Sequence, residues 1–170
     1  MDKALISRRF AKAVGTYLDK ADVQRYVASR MAELTGRYIP SDIQERVLEI
    51  GCGTGMFTRM YLQQAAPEEM WLNDLCPEVE PYLADVLGEK VHFMAKDAET
   101  LAFPEWQDLI VSCSAVQWFE DLPRFFSGCR KLLHEGGYLA FSTFGPHNTE
   151  EVATLTAAGL SYPSLEELKE

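Results

Sequence analysis

Long apolar runs are absent from this 170-residue sequence. No stretch approaches the roughly 20 apolar residues that cross a bilayer. The first residues hold no signal-like apolar core either, so a cytoplasmic protein with no membrane partner is expected. Cysteine is sparse. Cys52, Cys76, Cys113 and Cys129 lie far apart, form no C-x-x-C pair, and read as reduced thiols rather than a disulfide or zinc framework. Histidine is scarcer still: His92, His134 and His147 show no metal-ligand spacing, so no metal is expected. Basic residues are in deficit, 16 Lys and Arg against 26 Asp and Glu, and the net charge of −10 argues against nucleic acid as the main partner. With 47% hydrophobic and 25% charged residues, the chain has the composition of one ordinary globular domain.

The basic residues that are present are unevenly spread. Residues 1–30 hold seven of them (Lys3, Arg8, Arg9, Lys12, Lys20, Arg25, Arg30) against three Asp, a local balance of +4 in an acidic chain. The same segment carries helical signals. Leu5, Ile6, Phe10, Ala11 and Val14 predict a short helix over 3–14 that Gly15-Thr16-Tyr17 breaks. Val23, Tyr26, Val27, Met31 and Leu34 recur at helical spacing and predict a second helix over 21–34, closed by Gly36.

The chain is organised around residues 46–57. Val47, Leu48 and Ile50 form a short apolar run, as in a strand buried on both faces. Gly51, Gly53 and Gly55 follow at alternate positions, and a helix is predicted from Met56 to Gln64. Strand, glycine turn and helix start describe the first βα unit of a doubly wound sheet, where small ligands bind. A dinucleotide fingerprint would need a third small residue where Met56 stands, so a nicotinamide cofactor is the weakest reading. A glycine turn that only reverses the chain is the plainer alternative. The pattern Glu49-x-Gly51-x-Gly53-x-Gly55 resembles motif I of the class I S-adenosylmethionine (AdoMet) methyltransferases.

Further strands are expected at 70–73, 91–94, 108–113 and 138–143, separated by helices at about 77–87 and 122–133. Such alternation implies a parallel sheet with right-handed crossovers, in the order 3-2-1-4-5 with helices on both faces. The cleft then opens between the first and fourth strands. Asp74 ends the second strand, 25 residues after Glu49, where a carboxylate can accept from both ribose hydroxyls. Beside solvent at a strand end, Asp74 is expected to matter for binding and little for folding. Glu49, Asp74, Asp97 and Ser114 all fall on the same edge of that sheet.

More particular resemblances accompany the glycine loop. Phe10-x-x-Ala13-x-x-x-Tyr17-x-x-x-Ala21-Asp22-Val23-Gln24-Arg25, Asp97-Ala98-Glu99-x-Leu101, Ala115-Val116-Gln117-Trp118 and Phe141-Ser142-Thr143-Phe144-Gly145 are similar to the malonyl-[acyl-carrier-protein] O-methyltransferases of biotin synthesis. The resemblance covers about residues 7 to 145. It implies a Rossmann-like class I methyltransferase in a single domain: a helical cover over 1–40, a cofactor-binding core over 41–145 and a truncated helical region over 146–170. AdoMet would be held by Glu49, Gly51, Cys52, Gly53, Asp74, Leu75, Asp97, Ala98 and Ser114, with Asp97 accepting from the adenine amino group, and S-adenosylhomocysteine would be the product. Tyr17, Gln117 and Trp118 would position the acceptor, and no general base would be required, because a malonyl carboxylate is already ionised at pH 7.

The resemblance stops short in one respect. The family continues past the fifth strand with a covering insertion and strands six and seven. Here one helix is predicted over 148–159, another begins at 164, and the expectation is a fragment of a longer protein or a sheet completed by a partner. Acyl carrier protein is the expected partner. Methylation of another small acceptor, such as a quinol or amine, is a second reading, and a non-catalytic AdoMet-binding module a third.

Overall fold

The computed structural model describes residues 2–148 and 162–169. Its centre is a five-stranded parallel sheet of β1 (Arg46–Ile50), β2 (Glu69–Asp74), β3 (Val91–Ala95), β4 (Gln107–Cys113) and β5 (Leu133–Ser142), in the order β3-β2-β1-β4-β5. The expected order is therefore the observed one. β1 lies innermost, with Val47 paired to Met70 on one side and to Leu109 on the other. Its side chains alternate between two cores, which is why its sequence carries apolar residues on both parities. Val47 joins Met70, Leu72, Leu109 and Val111 beneath helices α2 (Asp22–Tyr38) and α3 (Met56–Leu62). Leu48 and Ile50 point the other way, into a cluster with Phe125, Cys129 and Leu132 of α4 (Leu122–Leu132). Each fully buried aliphatic or aromatic side chain here contributes about 1.5–3 kcal/mol.

Several element boundaries differ from the sequence reading. Helix α1 (Lys3–Lys20) runs through Gly15 instead of breaking there, capped at its start by Asp2, whose carboxylate accepts from the Leu5 N–H at 2.9 Å. An interior glycine costs a helix only about 1 kcal/mol, and tertiary packing, such as that of Ala11 against the core, holds the helix together. Helix α2 likewise continues through Gly36 to Tyr38. A Cβ at Gly36 would press on the Gln64 side chain at 3.1 Å, so glycine there admits a close approach in which Gln64 Nε2 donates to the Ala32 carbonyl. The helix expected at 77–87 is a 3-10 stretch, Pro77–Leu83, because Pro81 inside it removes a backbone donor. The helix expected over 122–133 ends at Leu132, and β5, expected from 138, already begins at Leu133, with a register irregularity opposite Gln107 and Leu109. Of the helix predicted over 148–159 only Asn148, in a turn, is among the described residues, and residues 165–169 form turns. No helix among the described residues is long and apolar enough to cross a membrane.

Candidate functional site

A cavity of about 360 Å³ opens at the carboxyl ends of β1 to β4. Its floor is the glycine loop. Gly51, Gly53 and Gly55 all have positive φ (70°, 51° and 78°), a conformation in which an ordinary side chain is strained. Gly51 is doubly constrained, since an added Cβ would sit 2.3 Å from Ala115 Cβ. A Cβ on Gly53 would meet nothing within 4 Å, and Gly53 lines the cavity, so its backbone is open to a ligand.

The loop's N–H groups are turned inward. Cys52 donates to the Asn73 carbonyl at 2.9 Å, Gly55 to the Cys52 carbonyl at 2.9 Å, and Gly53 to the Asp74 carboxylate at 2.8 Å. The other Asp74 oxygen accepts from Cys76 N–H at 2.9 Å. Asp74 is thus a brace between the loop and the end of β2, and the expectation that it matters little for folding is corrected. Burial raises its pKa, while the N–H groups of Cys76 and Gly53 hold it back. Each carboxylate oxygen retains a further lone pair for a ligand hydroxyl.

Glu49 lies one residue before the end of β1, 1% exposed, and also lines the cavity. Burial pushes its pKa up to about 8. The hydrogen bond from Thr58 Oγ1 (2.7 Å) opposes that rise, and the Asp74 charge adds to it. A carboxyl this buried invites a cation. Asp97, at the end of β3, accepts from Glu99 N–H at 3.0 Å, capping the short turn Ala98–Thr100, and pairs with Lys3 Nζ at 2.7 Å. Asp97 thus both caps that turn and lines the cavity.

The roof comes from the N-terminal helices. Lys3, Ile6, Ser7 and Phe10 of α1 and Gln24 and Ala28 of α2 line the cavity. Lys3 also meets Glu99 at 2.5 Å, and Phe10 packs edge-on against Trp118, ring centroids 5.8 Å apart. Burial works against the Lys3 charge, but hydrogen bonds to Asp97 and Glu99 outweigh it and raise its pKa. Beyond β4, Ser114 has a φ of 57°. Its carbonyl accepts from Gln117 Nε2 at 2.7 Å, while the buried Gln117 Oε1 has no partner among the described residues.

The residues named from sequence therefore converge. Glu49, Gly51, Cys52, Gly53, Asp74 and Leu75 line the cavity from the β1 and β2 ends, and Asp97, Ala98, Ser114, Gln117 and Trp118 from the β3 and β4 ends. The side chain of Tyr17 lies outside the described residues. Sequence reading missed Lys3, Asn73, Thr58 and Arg59. Asn73 is buried and donates to the Met94 and Lys96 carbonyls (3.1 and 2.9 Å), fixing the end of β3. Arg59 pins the glycine loop from behind through the Thr54 and Gly55 carbonyls, held in turn by Asp85 at 2.6 Å. A polar residue at a strand's last buried position was the available signal for Asn73. Among the described residues, no group of three or more His, Cys, Asp or Glu is placed to hold a metal ion.

The arrangement suits a ligand with a cationic group, hydroxyl donors and an apolar body, and is poorly suited to a pyrophosphate. The chain is similar to known proteins in both sequence and fold. Residues 48–141 match the family described as a methyltransferase domain. Over 170 residues the chain is 50% identical to a Bacteroides thetaiotaomicron protein named malonyl-[acyl-carrier protein] O-methyltransferase, covering 99% of this chain and 65% of that one. A Bacteroides helcogenes protein of the same name is 39% identical over 191 residues, covering 99% and 70%. A third, from Bacteroides fragilis, is 47% identical over 166 residues, covering 98% of this chain and 34% of its own length. The chain thus spans between 34% and 70% of these curated relatives. A solved structure described as a DhpI–SAM–HEP complex shares the fold, with a TM-score of 0.73 at 17% identity over 99% of this chain and 87% of that one.

Proposed function

The chain belongs to the methyltransferase domain family and to the family of its malonyl-[acyl-carrier protein] O-methyltransferase relatives, and we propose that it binds AdoMet and methylates the free carboxylate of a malonyl thioester held by acyl carrier protein. The observation that carries this reading is a glycine loop with its N–H groups turned inward, under a cavity walled by Glu49, Asp74 and Asp97. That cavity fits the cofactor. Gly53 leaves room against the backbone, and Glu49 is a buried carboxyl suited to an ammonium group. Asp74 suits a pair of ribose hydroxyls and Asp97 an exocyclic amine.

When bound, AdoMet supplies a methyl group already activated by its sulfonium. The protein's part is orientation and exclusion of water. An ionised carboxylate acceptor needs no base, and the acceptor end of the cavity, with Phe10, Trp118, Phe119 and Phe144, offers apolar surface rather than proton-exchanging groups. Gln117, whose Oε1 has no partner among the described residues, is a polar group available to fix the orientation of the acceptor arm. Radiolabelled methyl transfer to malonyl carrier protein, measured beside a quinol and an amine, tests the reading. Label on the malonyl thioester alone is expected, and label on another acceptor with none on malonyl would overturn it.

A further inference from the structure

The +4 balance of residues 1–30 is not accounted for by the cavity. Among the described side chains, only Lys3 of its basic residues lines that space, where Asp97 and Glu99 pair with it. The cavity-lining residues of α1, Lys3, Ile6, Ser7 and Phe10, follow i, i+3, i+4, i+7 spacing and occupy one face. Leu5, Arg8, Arg9 and Lys12 repeat the same spacing two residues later, roughly 160° away around the helix. All four are exposed. The roof of the site therefore carries a basic stripe on its outer surface, with Leu5 at the end towards the cavity's acidic wall. The element packed against α1 from below, Pro77–Leu83, carries Glu78 and Glu80. Glu78 is engaged by Cys76 Sγ at 3.1 Å, and neither acid belongs to the outer face of α1.

We propose that this outer face of α1, centred on Arg8, Arg9 and Lys12, is the docking surface for the acidic protein that carries the acceptor. The inference rests on the carrier-bound thioester reading above. A chain of net charge −10 repels an acidic partner unless its charge is locally inverted, and the stripe supplies that inversion on the helix that roofs the cavity. A carrier seated there has its tethered acyl group beside the α1 edge of the opening, near Phe10 and Trp118. Exposed charges of this kind steer encounter more than they hold the complex, so the contribution is to association rate and is screened by salt.

Stopped-flow association of fluorescent malonyl carrier protein with the native chain and with the Arg8→Glu/Arg9→Glu/Lys12→Glu variant tests this, at about 10 mM and about 150 mM salt, where the Debye length falls from about 30 to about 8 Å. Malonyl-CoA binding is measured in parallel. The variant is expected to associate about ten-fold more slowly or worse at low salt, with most of the difference gone at the higher salt and malonyl-CoA affinity within about two-fold of native. An Arg8→Gln/Arg9→Gln/Lys12→Gln variant should lie between the two, which separates charge from helix stability. Equal association rates for all three proteins, or equal losses on the carrier and on malonyl-CoA, overturn the docking surface. Native binding of malonyl-CoA without the carrier overturns it too, while leaving the thioester reading in place. Binding of neither overturns both.

Discussion

Thr58, on the first turn of α3, donates a 2.7 Å hydrogen bond to the Glu49 carboxylate beneath the glycine loop. It lowers the Glu49 pKa against burial and the Asp74 charge, and the balance of the three brings it to about 8. With burial holding its pKa near 8, Glu49 is expected to be mostly protonated at pH 7 in the ligand-free protein. An ammonium ligand binds the carboxylate form, so binding releases a proton, and affinity for AdoMet should rise about ten-fold per pH unit between roughly pH 6 and 7. Above about pH 8 it should fall as the ligand's own amine deprotonates. Thr58→Val removes the stabilising donor and should move the rising limb to higher pH. Calorimetry in two buffers of different ionisation enthalpy reads the proton count, and a pH-independent affinity would remove Glu49 from the ammonium site.

The same group sets a pH dependence of stability. Its folded pKa, about 8, lies above the ordinary carboxyl value of 4.5, so the neutral buried form contributes stability fully below about pH 4.5, and that contribution is lost as the pH rises to about 8. Glu49→Gln keeps the shape without the titration. Its melting temperature should fall less than that of the native protein between pH 5 and 8, and parallel profiles would contradict the assignment.

Gly51→Ala combines a strained φ of 70° with a Cβ 2.3 Å from Ala115. Loss of about 1–3 kcal/mol of stability is expected, with weakened AdoMet binding because the loop must shift. Adding Ala115→Gly relieves the clash but not the strain, so it should recover only part of the stability. Full recovery would show that backbone strain there is negligible.

Lys3 joins the start of α1 to Asp97 and Glu99 across the cavity wall. Lys3→Met should loosen that end of the roof, raising both association and dissociation rates of AdoMet several-fold while its dissociation constant changes less. Stopped-flow fluorescence from Trp118 reads both rates. An unchanged dissociation rate would mean that the ion pair does not restrain the roof.

The strand order and most of the site were legible because they depend on short-range patterns. The double-faced apolar run at Val47, Leu48 and Ile50 identifies an inner strand, and carboxylates at successive strand ends locate the cleft. Helix limits were harder. Gly15 and Gly36 look like stops, yet tertiary packing, in Gly36's case against Gln64, holds the helix through them. The partners of site residues were out of reach for another reason. Thr58 meets Glu49 nine residues away, and Lys3 meets Asp97 at a separation of 94, contacts that only the assembled sheet creates.

The central claim is that the acid-walled cavity is an AdoMet site, and Asp74 tests it most directly. Titration of AdoMet into the native chain and into Asp74→Ala by calorimetry should show binding to the native protein, weakened in the variant by about 1.5–3 kcal/mol, the scale of charge-assisted hydrogen bonds to ribose. The variant should also lose about 1–3 kcal/mol of stability, because Gly53 and Cys76 N–H groups lose their acceptor; the comparison is therefore made well below its melting temperature. No binding of AdoMet or S-adenosylhomocysteine to the folded native chain, or equal affinity in a folded Asp74→Ala variant, would contradict the account.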